Sequence, residues 1–208
     1  MSFIHTTHPA EAEGAVAAMY LRQQSAWGYV PNYARVFCHR PEVMARWGAL
    51  LAEIKRPMDP RRFELVTFAA AHELRNTACT LAHGRKLCEF FSEGDIVAMA
   101  GEEPIGTLTE AEQTMLRFAR QVARDASAIT PAQVDEMKAR GFSDAEMFDI
   151  AAAAAGRAFF TKVLDALGAT LDSPFLALDD TFRLPLTVGR AIDERPCDTM
   201  PAQPDHAP

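Results

Sequence analysis

Three helix-start signals of the same form constrain this chain more than any other feature of its sequence. Each places a Ser or Thr at the N-cap and a Glu or Gln three residues later, so that each side chain can bond the backbone N–H of the other residue. These signals begin at Thr109, Thr130 and Ser143. The last one opens the longest predicted helix, roughly 144–167, which ends at Gly168. Convincing alternating strands are absent, so the sequence predicts an all-α fold.

Two further patterns describe how the predicted helices are arranged. The stretch AAAAAGRA in the middle of the long helix has almost no side-chain bulk, which lets neighbouring helices approach closely, and we expect a packing crossing there. A faint repeat at an offset of 50 residues aligns MDPRRFELVTFAAAHELRNTAC with LTEAEQTMLRFARQVARDASAI. The sequence thus predicts a helical bundle with a weak internal repeat of helical hairpins.

The helical pattern decays after about residue 170, where the chain becomes rich in Pro and Asp. We expect a single all-helical domain over 1–175, with its motif-bearing core at about 40–125. Residues 176–208 are expected to form a C-terminal arm or tail that is partly disordered. The apolar stretch FLALDDTFRLPLTV favours an arm laid on a neighbouring subunit, and the last dozen residues are expected to be mobile.

Composition and charge exclude several classes of partner. The chain has 208 residues, is 49% hydrophobic and carries a formal net charge of −7, so it gains no general attraction to nucleic acid or anionic membrane. No run approaches the roughly 18 to 20 apolar residues that span a bilayer. The N-terminus lacks the basic and apolar regions of a signal peptide. We therefore expect a cytoplasmic protein whose four scattered cysteines stay reduced.

The stretch ELRNTACTLAHG holds the residues that carry candidate chemistry. Cys79 and His83 are four residues apart and share one face of a helix. Asn76 and Thr77 are both good N-cap residues, so the helix is expected to begin there, with Cys79 in its first turn. The helix dipole and the imidazole both favour thiolate, so we expect the pKa of Cys79 to lie below about 8.5.

A histidine beside a thiol usually needs a carboxylate to orient it, and Glu64 is the candidate. In one straight helix Glu64 would lie about 22 Å from Cys79, too far to cooperate. If the chain reverses near residues 75–77, two antiparallel helices bring Glu64 to His83. The hypothesis therefore requires a helix break at RNT.

The spacing of Glu64, position 76, Cys79 and His83 resembles the E-x11-C-x-x-C-x-x-x-H signature of the carboxymuconolactone decarboxylase superfamily, in its alkylhydroperoxidase D-like branch. The flanks GYVPN, RPEVMARW and ALGATLDSPF are similar to those of the peroxidase-related members, and the likeness covers roughly residues 20–175. The resemblance implies an all-helical fold and a homo-oligomer, a trimer or a trimer of dimers. It also implies that Cys79 is a redox thiol, with Glu64 and His83 in a proton relay.

Asn76 stands where that family has the first cysteine of its C-x-x-C pair. A dithiol cycle needs two thiols whose Cα atoms lie within roughly 7 Å, and Cys88 is expected near the opposite side of the same helix. We therefore expect a one-cysteine cycle, in which Cys79 forms a sulfenic acid that an external thiol resolves. Asn76 is expected either to donate a hydrogen bond to substrate or thiolate, or simply to cap the helix.

The function expected from these residues is thiol-dependent reduction of a hydroperoxide, without a bound cofactor or metal. One alternative is acid–base chemistry, of decarboxylase or isomerase type, on a small carbonyl or lactone with Cys79 as a bystander. Another is a non-catalytic oligomeric binder of small ligands, in which Cys79 is a buried core residue. His72 and Glu73 begin an H-E-x-x-H pattern, but Asn76 replaces its second histidine, so no zinc site is expected.

Overall fold

The computed structural model describes residues 2–103 and 105–201, and within them every regular element is helical. The α-helices are α1 Gly14–Trp27, α2 Asn32–Val36, α3 Pro41–Lys55, α4 Pro60–Glu73, α5 Thr77–Leu87, α6 Glu93–Ala100, α7 Glu110–Asp125, α8 Pro131–Ala139, α9 Asp144–Ala166 and α10 Asp180–Leu186. Strand-like pairing within these residues is limited to one isolated parallel bridge between Leu171 and Ile192. The predicted all-α fold is confirmed.

The predicted capping boxes position three of these helices. Thr109, Thr130 and Ser143 each accept a hydrogen bond from the backbone N–H three residues later, and each reciprocal bond is also formed. Asp59 caps α4, and the predicted repeat aligns Asp59 with Thr109, the cap of α7. In this alignment the hairpin α4–α5 corresponds to the hairpin α7–α8.

Helix α4 lies at the centre of the bundle and packs against α5, α7 and α9. Its residues 63–71 are all buried. Alanines at the crossings, including Ala69 and Ala70 of α4 and Ala153 and Ala154 of α9, are fully buried and allow the helix axes to approach closely. The expectation that the Ala-rich stretch marks a packing crossing is met by the contact of α9 with α4.

The chain reverses between α4 and α5, as the hypothesis about Glu64 requires. Helix α4 ends at Glu73, Arg75 has a left-handed φ of 56°, and Asn76 caps α5. The C-terminal segment crosses this reversal at Gly189, whose N–H donates to Thr77 Oγ1 at 2.9 Å. A Cβ at Gly189 would lie 1.9 Å from the carbonyl oxygen of Arg75, so only glycine fits the crossing.

Helix α10 packs on α5 and α6 of its own chain. Phe182 and Leu186 are buried, and both lie 3.2 Å from the position that a Cβ would take at Gly84 of α5. The domain boundary near residue 175 and the separate arm over 176–208 stay predictions. Of the last dozen residues, expected to be mobile, 202–208 lie outside the described residues. In the part of the chain that the structure describes, no helix is both long and apolar enough to cross a membrane.

Candidate active site

A buried carboxylate–imidazole pair links α4 to α5. His83 Nδ1 lies 2.6 Å from Glu64 Oε2, and both residues are less than one tenth exposed. Thr67 Oγ1, one turn after Glu64, lies 3.3 Å from the same nitrogen. Because the partner of Nδ1 is a carboxylate, Nδ1 carries the proton and donates it. The structure thus brings Glu64 and His83 together, as expected from the helix break.

Burial and the nearby charges keep the imidazole neutral. Burial first, and then the Arg157 guanidinium, lower the pKa of His83 to about 4 against the raising effect of Glu64. Burial alone would raise the pKa of Glu64, but the bond from His83 and the charges of Lys86 and Lys55 hold it below its ordinary value. Those two lysine Nζ atoms lie 3.8 and 3.6 Å from Glu64 Oε1. At neutral pH the pair is therefore a carboxylate and an uncharged imidazole whose Nε2 is unprotonated.

Cys79 lies in the first turn of α5, as predicted, but its thiol is not activated by that position. The side chain is buried, and burial raises the pKa of the thiol above its ordinary value. Arg157 Nη1 lies 3.7 Å from Sγ and lowers the pKa by less than burial raises it. The expectation of a pKa below about 8.5 is therefore wrong, because it weighed the helix dipole but not the loss of hydration at a buried sulfur.

Asn76 acts as the N-cap of α5. Its Oδ1 accepts the Cys79 N–H at 2.8 Å, and its Nδ2 donates to Asp165 Oδ2 at 2.9 Å. Both polar atoms of the amide are thus engaged within the protein, and Asn76 is not among the residues that line the adjoining cavity. The arrangement matches the capping role and lends no support to the expected contact with substrate.

A cavity of about 190 Å³ opens beside Cys79 and His83. Apart from those two residues, Ala78, Ala82 and Lys86 of α5 line it, and its remaining walls come from Trp27, Tyr33, Trp47, Arg157, Phe160, Leu164, Leu171, Asp172 and Phe175. The walls are mainly aromatic and apolar, which is the composition of a site for a small organic molecule.

Sequence reasoning missed three charged residues of this cavity, namely Lys86 of α5, Arg157 and Asp172. Arg157 comes from α9, where it is the only charged residue between Asp149 and Lys162, and this isolation was the one available signal. Asp172 is buried, accepts a hydrogen bond from the Asn32 N–H at 2.8 Å, and has its pKa raised to about 7 by burial. No local pattern around Asp172 marks it.

None of the other cysteines is among the residues that line the cavity. Cys38 is buried in a second apolar cluster, Cys88 is exposed at the C-terminal end of α5, and Cys197 is half-buried near Ser173. Among the described residues, no group of three or more His, Cys, Asp or Glu side chains is arranged to hold a metal ion.

Comparison with known proteins identifies the fold. No protein-family model and no curated protein matches the sequence. An uncharacterized peroxidase-related protein with an alkylhydroperoxidase AhpD core, from Ralstonia eutropha JMP134, is similar over 91% of this chain and 98% of its own, with a TM-score of 0.66 and 20% identity. A peroxidase-related protein from Silicibacter sp. TM1040 matches over 83% of this chain and 96% of its own, with a TM-score of 0.65 and 18% identity.

A third solved structure is the debrominase Bmp8, in a cysteine-to-alanine variant bound to 2,3,4-tribromopyrrole. It covers 89% of this chain and 98% of its own, with a TM-score of 0.68 and 15% identity. The chain therefore has the all-helical fold of the AhpD-like, peroxidase-related proteins. That fold also occurs in a protein with debrominase chemistry.

Proposed function

We propose that this protein is an alkylhydroperoxidase D-like member of the carboxymuconolactone decarboxylase superfamily that reduces an organic hydroperoxide at a single cysteine. The observation that carries the proposal is a cavity whose wall holds both a cysteine thiol and an imidazole, with one nitrogen of that imidazole fixed by a buried carboxylate. A base held by an orienting group beside a nucleophile is the general arrangement for activating a thiol. Cys79 is the nucleophile, His83 the base and Glu64 the orienting group.

The proposed first step uses His83 as a base and then as an acid. Nε2 takes the Cys79 proton as the sulfur attacks the outer peroxide oxygen, and the O–O bond breaks. The leaving alkoxide takes the proton back from His83 and departs as the alcohol, while Cys79 becomes a sulfenic acid. Because the resting thiol is neutral, proton removal accompanies the attack instead of preceding it.

The second half of the cycle needs an external thiol as reductant. One reductant thiol condenses with the sulfenic acid to form a mixed disulfide and water. A second reductant thiol then attacks the mixed disulfide, which releases Cys79 as a thiol and leaves a disulfide between the two reductant thiols. Asn76 occupies the position of a resolving cysteine, and the exposed Cys88 lies at the far end of α5. An external reductant fits the expectation of a reducing, cytoplasmic setting.

One observation favours a second candidate, acid–base chemistry on a small carbonyl or lactone. His83 is a neutral base at the cavity, while burial raises the pKa of the neighbouring Cys79 thiol. In that case Cys79 shapes the cavity and His83 abstracts a proton from carbon. The third candidate, a non-catalytic binder, would be favoured if no cavity reached His83, but one does.

Steady-state reduction of cumene hydroperoxide with dithiothreitol separates these candidates. We expect Cys79→Ser to abolish turnover and Glu64→Gln to lower kcat/KM by about 100-fold or more, the usual contribution of a positioned general base. Glu53→Gln, which removes an exposed carboxylate from α3, is the matched control and should leave the rate unchanged. Turnover that survives Cys79→Ser, or that is absent in the wild type, would contradict the peroxidase proposal.

A further inference from the structure

Arg157 is a buried cation without a carboxylate partner. The residue is 4% exposed, and no carboxylate oxygen of the described residues lies within 4.0 Å of its guanidinium nitrogens. The only hydrogen bond of its side chain to a described residue is the 3.7 Å contact from Nη1 to Cys79 Sγ. Nε is buried without a partner, so the donors left for a molecule in the cavity are those of Nη2 and the second N–H of Nη1.

The surrounding charges do not compensate Arg157. Glu64 is already contacted by Lys55 and Lys86, and Lys86 also lines the cavity. The Cys79 thiol is held neutral by burial. Asp172 lines the cavity but is bound to the Asn32 N–H instead of the guanidinium. An isolated buried charge is costly, so the cavity in its resting state favours an anion.

The aromatic wall of the cavity favours a flat molecule. Trp47 and Phe160 stack with ring centroids 4.2 Å apart and planes inclined by 13°, and Trp47 is fixed by a hydrogen bond to the Gly156 carbonyl. The Arg157 guanidinium lies 5.7 Å from both ring centroids. Tyr33 meets Phe160 edge-on and forms part of the same wall. A planar ligand ring can form favourable offset or edge contacts with these aromatic side chains, whereas a puckered ligand ring cannot.

The cavity volume sets a lower bound on the size of the molecule that it can accept. At about 190 Å³ it is slightly larger than an apolar cavity of about 150 Å³ that accommodates benzene. One six-membered ring with a short substituent therefore fits.

We propose that the cavity selects a planar, ring-bearing substrate with an anionic group, and that Arg157 binds the charge of that group. Nη1 remains on the sulfur and Nη2 donates to the anion, so one side chain places the substrate beside Cys79. This inference rests on the proposed function for the reaction that follows binding, but the binding itself can be measured without turnover.

Isothermal titration calorimetry with three probes tests charge and planarity separately. Benzoate has both features, benzamide keeps the ring but loses the charge, and cyclohexanecarboxylate keeps the charge but loses planarity. We expect benzoate to bind about 30-fold more tightly than benzamide, equivalent to ~2 kcal/mol for one buried charge pair. Cyclohexanecarboxylate should bind more weakly than benzoate. Equal affinity for benzoate and benzamide, or no benzoate binding, would overturn the proposal.

Variants assign the effect to one guanidinium. Arg157→Gln should remove the preference for benzoate over benzamide, whereas Arg46→Gln, which removes an exposed cation from α3, should retain it. A preference that survives Arg157→Gln would overturn the role of Arg157. If Arg157→Gln does not fold, protection of wild-type Cys79 from iodoacetamide by benzoate but not benzamide supports an anion site beside Cys79, and absence of protection contradicts the proposal.

The two proposals fail in different ways. Selective benzoate binding without any hydroperoxide turnover would retain the anion site and reject the peroxidase reaction. Hydroperoxide turnover at Cys79 without selective benzoate binding would reject the anion site and retain the reaction.

Discussion

The charge state of Cys79 decides how its chemistry begins. Burial raises the pKa of this thiol, and Arg157 opposes the shift. We therefore expect its rate of alkylation by iodoacetamide to rise only above about pH 8.5, the ordinary pKa of a thiol. Arg157→Gln should move this rise in the alkylation rate to higher pH. Mass spectrometry of the peptide containing Cys79 would measure the rate in the wild type and in the variant. A midpoint below the ordinary value would mean that the helix start outweighs burial.

The neutral state of His83 predicts how stability depends on pH. Its pKa is lowered to about 4 by burial, then by Arg157, and returns to about 6.5 in the unfolded chain. Between these values the unfolded chain binds a proton that the folded protein does not, so the free energy of unfolding falls as pH falls through this window. The loss attributable to His83 is up to about 3 kcal/mol.

Urea unfolding of wild type and His83→Gln at several pH values measures this contribution. Burial also lowers the pKa of His72, which acts in the same direction, so the difference between the two proteins is the informative quantity. Between about pH 6.5 and 4, the free energy of unfolding of the variant should fall less with falling pH than that of the wild type. Parallel curves for the two proteins would mean that His83 is not buried in its neutral form.

Sequence spacing found some of the site residues but not the environment that sets their properties. Local rules were enough to predict the grouping of Glu64, Cys79 and His83. Residues four apart share a helix face, which pairs Cys79 with His83. A helix break lets the second helix run antiparallel to the first, which brings Glu64 to His83. Arg157 is 78 residues from Cys79 along the chain and reaches it only through the crossing of α9. The direction of the Cys79 pKa shift was wrong for the same reason, because burial depends on packing between distant elements.

At the scale of helices, the start of α5 is where a second thiol would act. Position 76 is the N-cap and Cys79 lies three residues later, the arrangement in which a C-x-x-C pair can close. We expect Asn76→Cys to form an internal disulfide with Cys79 on peroxide treatment. Non-reducing peptide mass spectrometry would detect the cross-link, which the wild type cannot form through this motif.

Asn76→Ser is the matched control for that experiment, because serine also caps a helix but adds no thiol. It should remain without a disulfide after the same treatment. If Asn76→Cys consumes peroxide but leaves both cysteines reduced or separately oxidised, the start of α5 does not have the geometry described here.

Helix boundaries were predictable where the signal is local and side chains bond the backbone. Thr109, Thr130 and Ser143 cap their helices as their sequence patterns predict. The path of the C-terminal segment was not predictable, because its position depends on the close contact of Gly189 with the Arg75 carbonyl. That contact joins two distant parts of the chain and leaves no periodic pattern.

At the scale of the whole molecule, the exposed apolar side chains bear on assembly. Val43 and Leu50 on α3, and Phe148 and Phe159 on α9, are exposed, and Phe148 reaches 72%. Large apolar groups on adjacent helices favour association, so we expect a homo-oligomer, for which the family resemblance implies a trimer or a hexamer. Light scattering at micromolar concentration should give a mass well above 22.9 kDa, and Leu50→Glu with Phe148→Glu should reduce it. A wild-type particle of monomer mass would contradict this expectation.

The reaction proposed for Cys79 is tested most directly by trapping its oxidised form. The protein, without reductant, is treated with a stoichiometric amount of cumene hydroperoxide in the presence of dimedone, and the modified peptide is located by mass spectrometry. We expect the dimedone adduct of a sulfenic acid on Cys79, formed much more slowly in Glu64→Gln and at the normal rate in Glu53→Gln. If Cys79 stays a free thiol while the folded protein is exposed to hydroperoxide, the protein is not a thiol peroxidase.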